Sequence, residues 1–362
     1  MTISDCSERE LIARIQQHLP PAPDWLLVGI GDDAAVVEPE RNRVEVLTVD
    51  ALVEGIHFDR AFVPPDAIGH RALAVNLSDL AAMGASPRLA LLSMVLPPAL
   101  PLDDFDAIAA GFAALAARHK LHVAGGNLTR SPGPLMIDVT VMGTVKRRQA
   151  LTRGGARAGD ELYLSGPIGS AAAGLILLRE QSAVDSPQSS EDESRPMTDV
   201  SRLTTAFLRP EPRVRLGVLL SRNRAATACI DLSDGLGDAV HRIADASRVG
   251  ITIEANALPI DAAARACFTQ HGKDAVTEAL TAGDDYELLL AVHPRAQRRL
   301  SAAAHHAGAV LTRVGRCTAD AAVTLQRSAE GTASDRVPVP QGYSHFRPFD
   351  AVRVVPSDVE RR

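Results

Sequence analysis

The sequence predicts an α/β (α+β) protein of two domains, and three observations carry that expectation. Strand-like apolar segments at residues 44–50 (VEVLTVD), 89–96 and 135–145 alternate with helical spacing of Ala, Leu and Ile at 65–83 and 102–119. The same rhythm resumes beyond residue 150. With 362 residues and 46% hydrophobic content, the chain is long enough for two domains, each with a core of its own.

In chain order, Ser7 and Glu10 make a capping-box pattern ahead of Leu11, Ile12, Ile15 and Leu19, which predicts a short amphipathic helix closed by Pro20 and Pro21. Residues 29–37, GIGDDAAVV, then set adjacent carboxylates, Asp32 and Asp33, into a small apolar run with no Lys or Arg between Trp25 and Glu40. Desolvated there, the pair would need a cation or a set of donors. Alone, the stretch reads more readily as a solvated turn. The first domain spans 1–150 and the second 151–350. The second opens with LTRGGARAGDELYLSG, a loop feeding a strand, and continues into a helix at 170–180. Residues 181–200 are polar, Ser-rich and acidic, which predicts a solvated surface insertion. Strands follow at 226–231, 251–254 and 286–293, with a helix at 233–247 and a tail at 351–362. NLSDL at 76–80 echoes DLSDGL at 231–236, and GDD at 31–33 echoes 283–285, matches too short to establish duplication.

Composition narrows the function. A net charge of −6 and few aromatics argue against a nucleic-acid partner held by bulk electrostatics or stacking. The longest apolar runs are broken by prolines, so no membrane span is expected, and the N-terminus begins with charged residues rather than a secretory signal. Cys6, Cys229, Cys267 and Cys317 lie far apart with no CxxC pair, which fits a reducing cytoplasm and neither a disulfide framework nor a zinc site.

The carboxylates carry the chemistry. Asp50 ends an apolar strand, Asp79 sits in the hydrophobic helix ALAVNLSDLAAMG, Asp231 ends ATACID, and Asp234 follows by three. Each has a plain structural alternative: Ser233 or Asp234 could cap the next helix, and Asp79 could face Asn76. Together, with almost no neighbouring Lys or Arg, they suit several Mg²⁺ ions, hard cations that take carboxylates, waters and phosphates. That chemistry points to phosphoryl transfer, where positioning and charge stabilisation dominate. GxxxxGK[ST] and the protein-kinase HRD and DFG motifs are absent. Glycine-rich segments at 125–133, 152–160 and 165–170 could offer N–H groups to phosphate, though each alone reads as a turn; Arg153 is the most plausible cationic contact.

Taken in order, GIGDDAAV, TVDALVEGIHF, NLSDLAAMGASP, GGNLTRSP, ALTRGGARAGD, IDLSDGL, AGDDYELLL and GYSHF resemble thiamine-monophosphate kinases, a family within the aminoimidazole ribonucleotide synthetase-like superfamily. The resemblance runs from about residue 29 to 346. It implies an aminoimidazole ribonucleotide synthetase-like fold whose N-terminal sheet pairs with its twin in a homodimer. It implies Mg²⁺ ligands at Asp33, Thr48, Asp50, Asp79, Asn127, Asp231 and Asp234, with Asp32 in a supporting role. ATP contacts fall on Gly126, Asn127, Arg153 and Ser233, and substrate contacts on His57, Asp284 and Tyr343. The implied reaction is ATP-dependent phosphorylation of thiamine monophosphate to thiamine diphosphate, with no general base. Two positions depart from the family pattern: Asn127 stands where Asp is usual, and Asp284 where Glu is usual. The alternatives are another ATP-dependent enzyme of the superfamily, such as an aminoimidazole ribonucleotide synthetase, or a catalytically silent nucleotide- or metal-binding protein. Selenophosphate synthetase and the hydrogenase-maturation carbamoyl dehydratase are disfavoured, because this chain lacks their active-site and C-terminal cysteines.

Overall fold

The computed structural model describes residues 1–183, 197–327 and 335–343. Most of the expected insertion at 181–200, the tail at 351–362 and the last three residues of GYSHF lie outside them.

The first helix, α1 (Glu8–His18), begins as its capping box requires: Ser7 Oγ accepts from the Glu10 N–H, and the Glu10 carboxylate accepts from the Ser7 N–H at 2.7 Å. A short antiparallel ribbon of β1 (Leu26–Val28) and β2 (Val36–Val37) follows. Then come β3 (Arg43–Val53), α2 (Pro65–Ala82), β4 (Ser86–Leu96), α3 (Leu102–Arg118), β5 (His122–Arg130) and β6 (Met136–Lys146). They build a four-stranded sheet in the order β3-β6-β4-β5. Only the β4–β5 pair is parallel; the neighbouring pairs are antiparallel.

Two expectations change here. Residues 125–130 are not a turn but part of β5, because Gly126 lets that strand close on β4: a Cβ at 126 would meet the Leu92 carbonyl oxygen at 1.8 Å. Asp50 lies inside β3 rather than at its end, since β3 and β6 stay paired through Val53 and Met136.

The second sheet begins at Glu161, after β6 has ended at Lys146. Its elements are β7 (Glu161–Leu164), α4 (Ser170–Ala183), α5 (Met197–Leu208), α6 (Val214–Asn223), β8 (Ala228–Asp231), α7 (Leu236–Ser247) and β9 (Gly250–Glu254). After them come α8 (Ala262–Gln270), α9 (Ala275–Thr281), β10 (Leu288–Val292), α10 (Gln297–Ala307), β11 (Thr312–Thr318), β12 (Val323–Gln326) and β13 (Arg336–Pro338). The strand order is β13-β12-β9-β11-β7-β10-β8, with only β12–β9 parallel. Antiparallel pairing in both sheets makes the fold α+β in character.

The expectation of two separate cores is also corrected. One cluster runs through both domains, joining Leu73, Leu77 and Leu80 of α2 to Leu216 and Leu220 of α6 and to Leu288 and Leu290 of β10. The reason is α2 itself, apolar around nearly its whole circumference and therefore buried on all sides. The opposite face of the second sheet has its own core, including Leu162, Ile230, Val240 and Ile251. Among the described residues, no helix is long and apolar enough to cross a membrane.

Candidate active site

Side chains alternate across β3, so Leu47 and Val49 face outward, 66% and 57% exposed, while Thr48 and Asp50 face α2. On α2, Asp79 meets that strand: Thr48 Oγ1 donates to Asp79 Oδ2. The preceding residue reaches the other domain, with Ser78 Oγ donating to Asp231 Oδ2 at 2.8 Å, at the C-terminal end of β8. Acids from both domains thus gather around one helix.

Their electrostatics are those of a site missing positive charge. Burial, the charges of Asp79 and Asp231, a carboxyl hydrogen bond with Asp79 and the charge of Asp234 push Asp50 up to about 7. Burial and the charge of Asp79 push Asp231 up to about 7, against the opposing pull of Ser78 and Arg153. Asp79 is raised by burial, while Thr48, the Arg153 charge and the Asp50 carboxyl pull it back. None of the three makes an ion pair with Lys or Arg among the described residues; Arg153 acts on Asp79 and Asp231 through space. Its loop runs beside β8, the Cys229 N–H donating to the Thr152 carbonyl at 2.9 Å.

A second wall forms where three motifs meet. The Asp284 N–H donates to the Ser233 carbonyl at 2.9 Å, and the Tyr343 N–H to the Asp234 carbonyl at 3.0 Å. Gly283 must be glycine for this approach, since a Cβ there would lie 2.1 Å from the Ser233 carbonyl oxygen. Neither Ser233 nor Asp234 caps α7: the N-cap is Gly235, which makes no side-chain capping bond. Asp234 instead pairs with Arg242 at 3.6 Å. His57 sits half-buried in the turn after β3, its Nδ1 accepting from the Val53 N–H at 3.0 Å.

Three expected residues make no hydrogen bond with this cluster among the described residues. Asp32 and Asp33 are exposed, so the desolvation that would demand a partner does not arise; Asp32 Oδ1 accepts from the Asp33 N–H at 2.8 Å. The flanking Leu26 and Val37 pack with Leu89, Ala124 and Met142 on the outward side of the sheet. Asn127 is in register with Ser93, which pairs through Asp138 to Ala51, and so it shares the face opposite Asp50. Its amide donates to Thr129 Oγ1 at 2.9 Å. Gly126, by contrast, shares the row of Leu92, Val139 and Asp50.

Sequence reasoning passed over Ser78, Arg71, Asp285 and Glu287. Asp285 accepts from the Gly169 and Ala171 N–H groups at the start of α4 and is pushed by burial up to about 7. Glu287 is held by Arg213 and by the Ser165 hydroxyl. A lone Arg71 in an apolar helix and three acids within GDDYE were the available signals.

The donor set fits a hard divalent cation: carboxylate and hydroxyl oxygens, too little positive charge, and no thiolate or imidazole at its centre. Among the described residues, no group of three or more His, Cys, Asp or Glu side chains encloses a metal position by itself. Mg²⁺ usually keeps waters and substrate phosphates in its shell.

Two such domains, with acids from each set around a shared helix, define an AIR synthase related protein. The description of the AIR synthase related protein, N-terminal domain, matches residues 31–145, and that of the C-terminal domain matches residues 157–328. The chain is similar to the thiamine-monophosphate kinase of Escherichia coli (strain K12), 34% identical over 346 residues, covering 94% of this chain and 98% of that protein. It is also similar to the crystal structure of thiamine-monophosphate kinase from Stenotrophomonas maltophilia K279a, 39% identical with a TM-score of 0.77, covering 89% of this chain and 98% of that one. A structure described as AaThiL complexed with AMPPCP and TMP is 30% identical with a TM-score of 0.71, covering 96% of this chain and 99% of that one. The chain belongs to the thiamine-monophosphate kinase family.

Proposed function

We propose that this site phosphorylates thiamine monophosphate with ATP, giving thiamine diphosphate and ADP. The observation that carries the reading is the gathering of Asp50, Asp79 and Asp231 around α2, each raised first by burial, with no Lys or Arg ion pair among the described residues. Thr48, Asp50, Asp79, Asp231 and Asp234 would hold Mg²⁺. When bound, the metal ions supply charge that screens donor and acceptor phosphates from each other and from the acids. Asp33 and Asn127 remain part of the proposed ligand set, although each stands apart from the cluster in the single chain.

The acceptor is a phosphate monoester with a second pKa of about 6, so it is mostly dianionic at neutral pH. One of its oxygens attacks the ATP γ-phosphorus in line as the bond to the β,γ-bridging oxygen breaks, and ADP leaves. No side chain has to remove a proton. The chain's own residues bind and orient: Gly126, Ser233 and Arg153 would meet ATP, while His57, Asp284 and Tyr343 would meet thiamine monophosphate. Asp284 is an anion and so suits the cationic thiazolium half of the acceptor rather than its phosphate. We place the protein in the cytoplasm as a homodimer built on the outward sheet face.

The test is product formation from ATP and thiamine monophosphate. Thiamine diphosphate and ADP in equal amounts, lost on adding EDTA and restored by Mg²⁺, support the reading. ATP binding without product, or turnover indifferent to EDTA, overturns it.

A further inference from the structure

Arg71 is a fully buried charge, 1% exposed, within the apolar body of α2. Such a burial is tolerated only when the guanidinium donors are engaged. Nη1 donates to the Phe207 carbonyl, and Nη2 donates to Asp284 Oδ1 at 3.2 Å. The Phe207 ring lies 4.2 Å from Arg71 Cζ, a cation–π contact that covers the planar group. Nε has no hydrogen-bond partner among the described residues. A side chain of the first domain therefore crosses to hold the 283–287 segment of the second.

That segment is held in a backbone state that ordinary residues avoid. Asp284 and Tyr286 have φ of +69° and +50°, both left-handed and neither glycine. Tyr286 turns back so that its hydroxyl donates to the same Asp284 Oδ1 at 3.0 Å. Two donors converge on one oxygen, which leaves Oδ2 as the acceptor for a ligand, on a side chain that is 35% exposed. The neighbouring acids have no such vacancy of role: Asp285 caps α4 and Glu287 is clamped by Arg213.

We propose that Arg71 is a positioning residue for the acceptor substrate. With Tyr286 it fixes the direction of the Asp284 carboxylate, so that Oδ2 meets a donor or cationic group on the organic half of thiamine monophosphate. This rests on the reading of Asp284 as a substrate contact. It also gives the shorter acid at 284 a brace: one methylene less than Glu leaves less reach, and a buried guanidinium behind it removes the freedom to turn away.

The experiment compares Arg71→Lys, Tyr286→Phe and Asp284→Asn, and each of the first two combined with the third, in the full chain. Arg71→Lys is expected to raise KM for thiamine monophosphate about tenfold and Tyr286→Phe about threefold, with kcat and KM for ATP within about twofold. In the Asp284→Asn background neither change should add to KM, because both act through that carboxylate. Calorimetric dissociation constants for thiamine monophosphate carry the same comparison without turnover, so a failed assay of product does not decide it. If Arg71→Lys does not fold, Tyr286→Phe and its pairing with Asp284→Asn decide alone. Additive effects, or kcat and both KM values moving together, make Arg71 a packing residue and overturn the proposal. An unchanged affinity in Asp284→Asn removes the substrate contact itself, and the proposal with it. A raised KM in Asp284→Asn alone, with Arg71→Lys and Tyr286→Phe silent, keeps the contact and rejects the brace.

Discussion

Ser78 Oγ lies 2.8 Å from Asp231 Oδ2, tying a helix of the first domain to a strand end of the second. Its neighbour Asp79 accepts from Thr48 on the sheet. Successive helix residues point about 100° apart, so adjacent positions on α2 address the two domains separately. One helix thus makes a hydrogen bond to the sheet of each domain.

Ser78→Ala tests that link. Removing the hydroxyl leaves the Asp231 carboxylate buried without its side-chain donor, and the expected loss of stability is about 1–3 kcal/mol. Ser78 also holds the Asp231 pKa down, so the variant should ionise Asp231 less readily and need more Mg²⁺ for half-maximal activity. Urea unfolding and a Mg²⁺ titration read the two effects. An unchanged Mg²⁺ requirement would separate Ser78 from the site.

Asp50→Asn should divide activity from stability. The amide cannot neutralise a cation, and turnover is expected to fall by about 10²-fold or more, the scale of losing one strong electrostatic contact in a transition state. The metal-free fold should keep or raise its melting temperature, because a group repelled by Asp79 and Asp231 has become neutral. Melting in EDTA beside a turnover assay checks this; a lower melting temperature with wild-type turnover would contradict the assignment.

The same acids predict how pH acts on the metal-free protein. Asp50 and Asp231 titrate near 7 when folded, above the 3.8 of a free Asp side chain. Between those values these two acids hold more protons in the folded state than in the unfolded chain, so their contribution to stability falls as pH rises from about 4 through 7 and then levels off. A cation bound by the acids favours their ionised forms and should flatten that slope. Melting temperatures across this range, with EDTA and with Mg²⁺, test it. His70, His119 and His122, their pKa values lowered by burial, act in the opposite sense, so the comparison is with Asp50→Asn: a pH slope identical in wild type and variant would refute the assigned direction.

How much of this the sequence disclosed depended on whether a signal was local. An acid inside ALAVNLSDLAAMG is out of place in any apolar helix, and Asp231 at the end of a short apolar strand is equally plain, so both stood out as candidates from the local pattern. The capping box at Ser7 was legible because it is a contact within three residues. The meeting of Ser233, Asp284 and Tyr343 was not, because it depends on β8 lying beside β10 and on the chain returning past Asp234. The exposure of Asp32 and Asp33 was hidden for the opposite reason: apolar neighbours in sequence do not bury a side chain whose turn faces water. Asn127 shows the same limit, since its side of the sheet is decided by strand register. Arg71 was visible as a lone cation in an apolar helix, but its partner lies 213 residues away.

The outward face of the first sheet carries the last prediction. Leu47, Val49 and Leu91 are 66%, 57% and 40% exposed, and register places Val49 and Leu91 in one row through Thr140 of β6. The β1–β2 ribbon covers the neighbouring Leu89 and Met142, so the stripe is the uncovered remainder of an apolar face. Burying the exposed part of these three side chains against a second copy would contribute roughly 1 kcal/mol each, about half the value of a fully exposed side chain. Leu47→Asp combined with Val49→Asp should therefore shift the protein from dimer to monomer in light scattering. Its circular dichroism should change little, because both side chains already face outward in the single chain. A wild-type monomer would reject the dimer, and a variant that stays dimeric would place the assembly surface elsewhere.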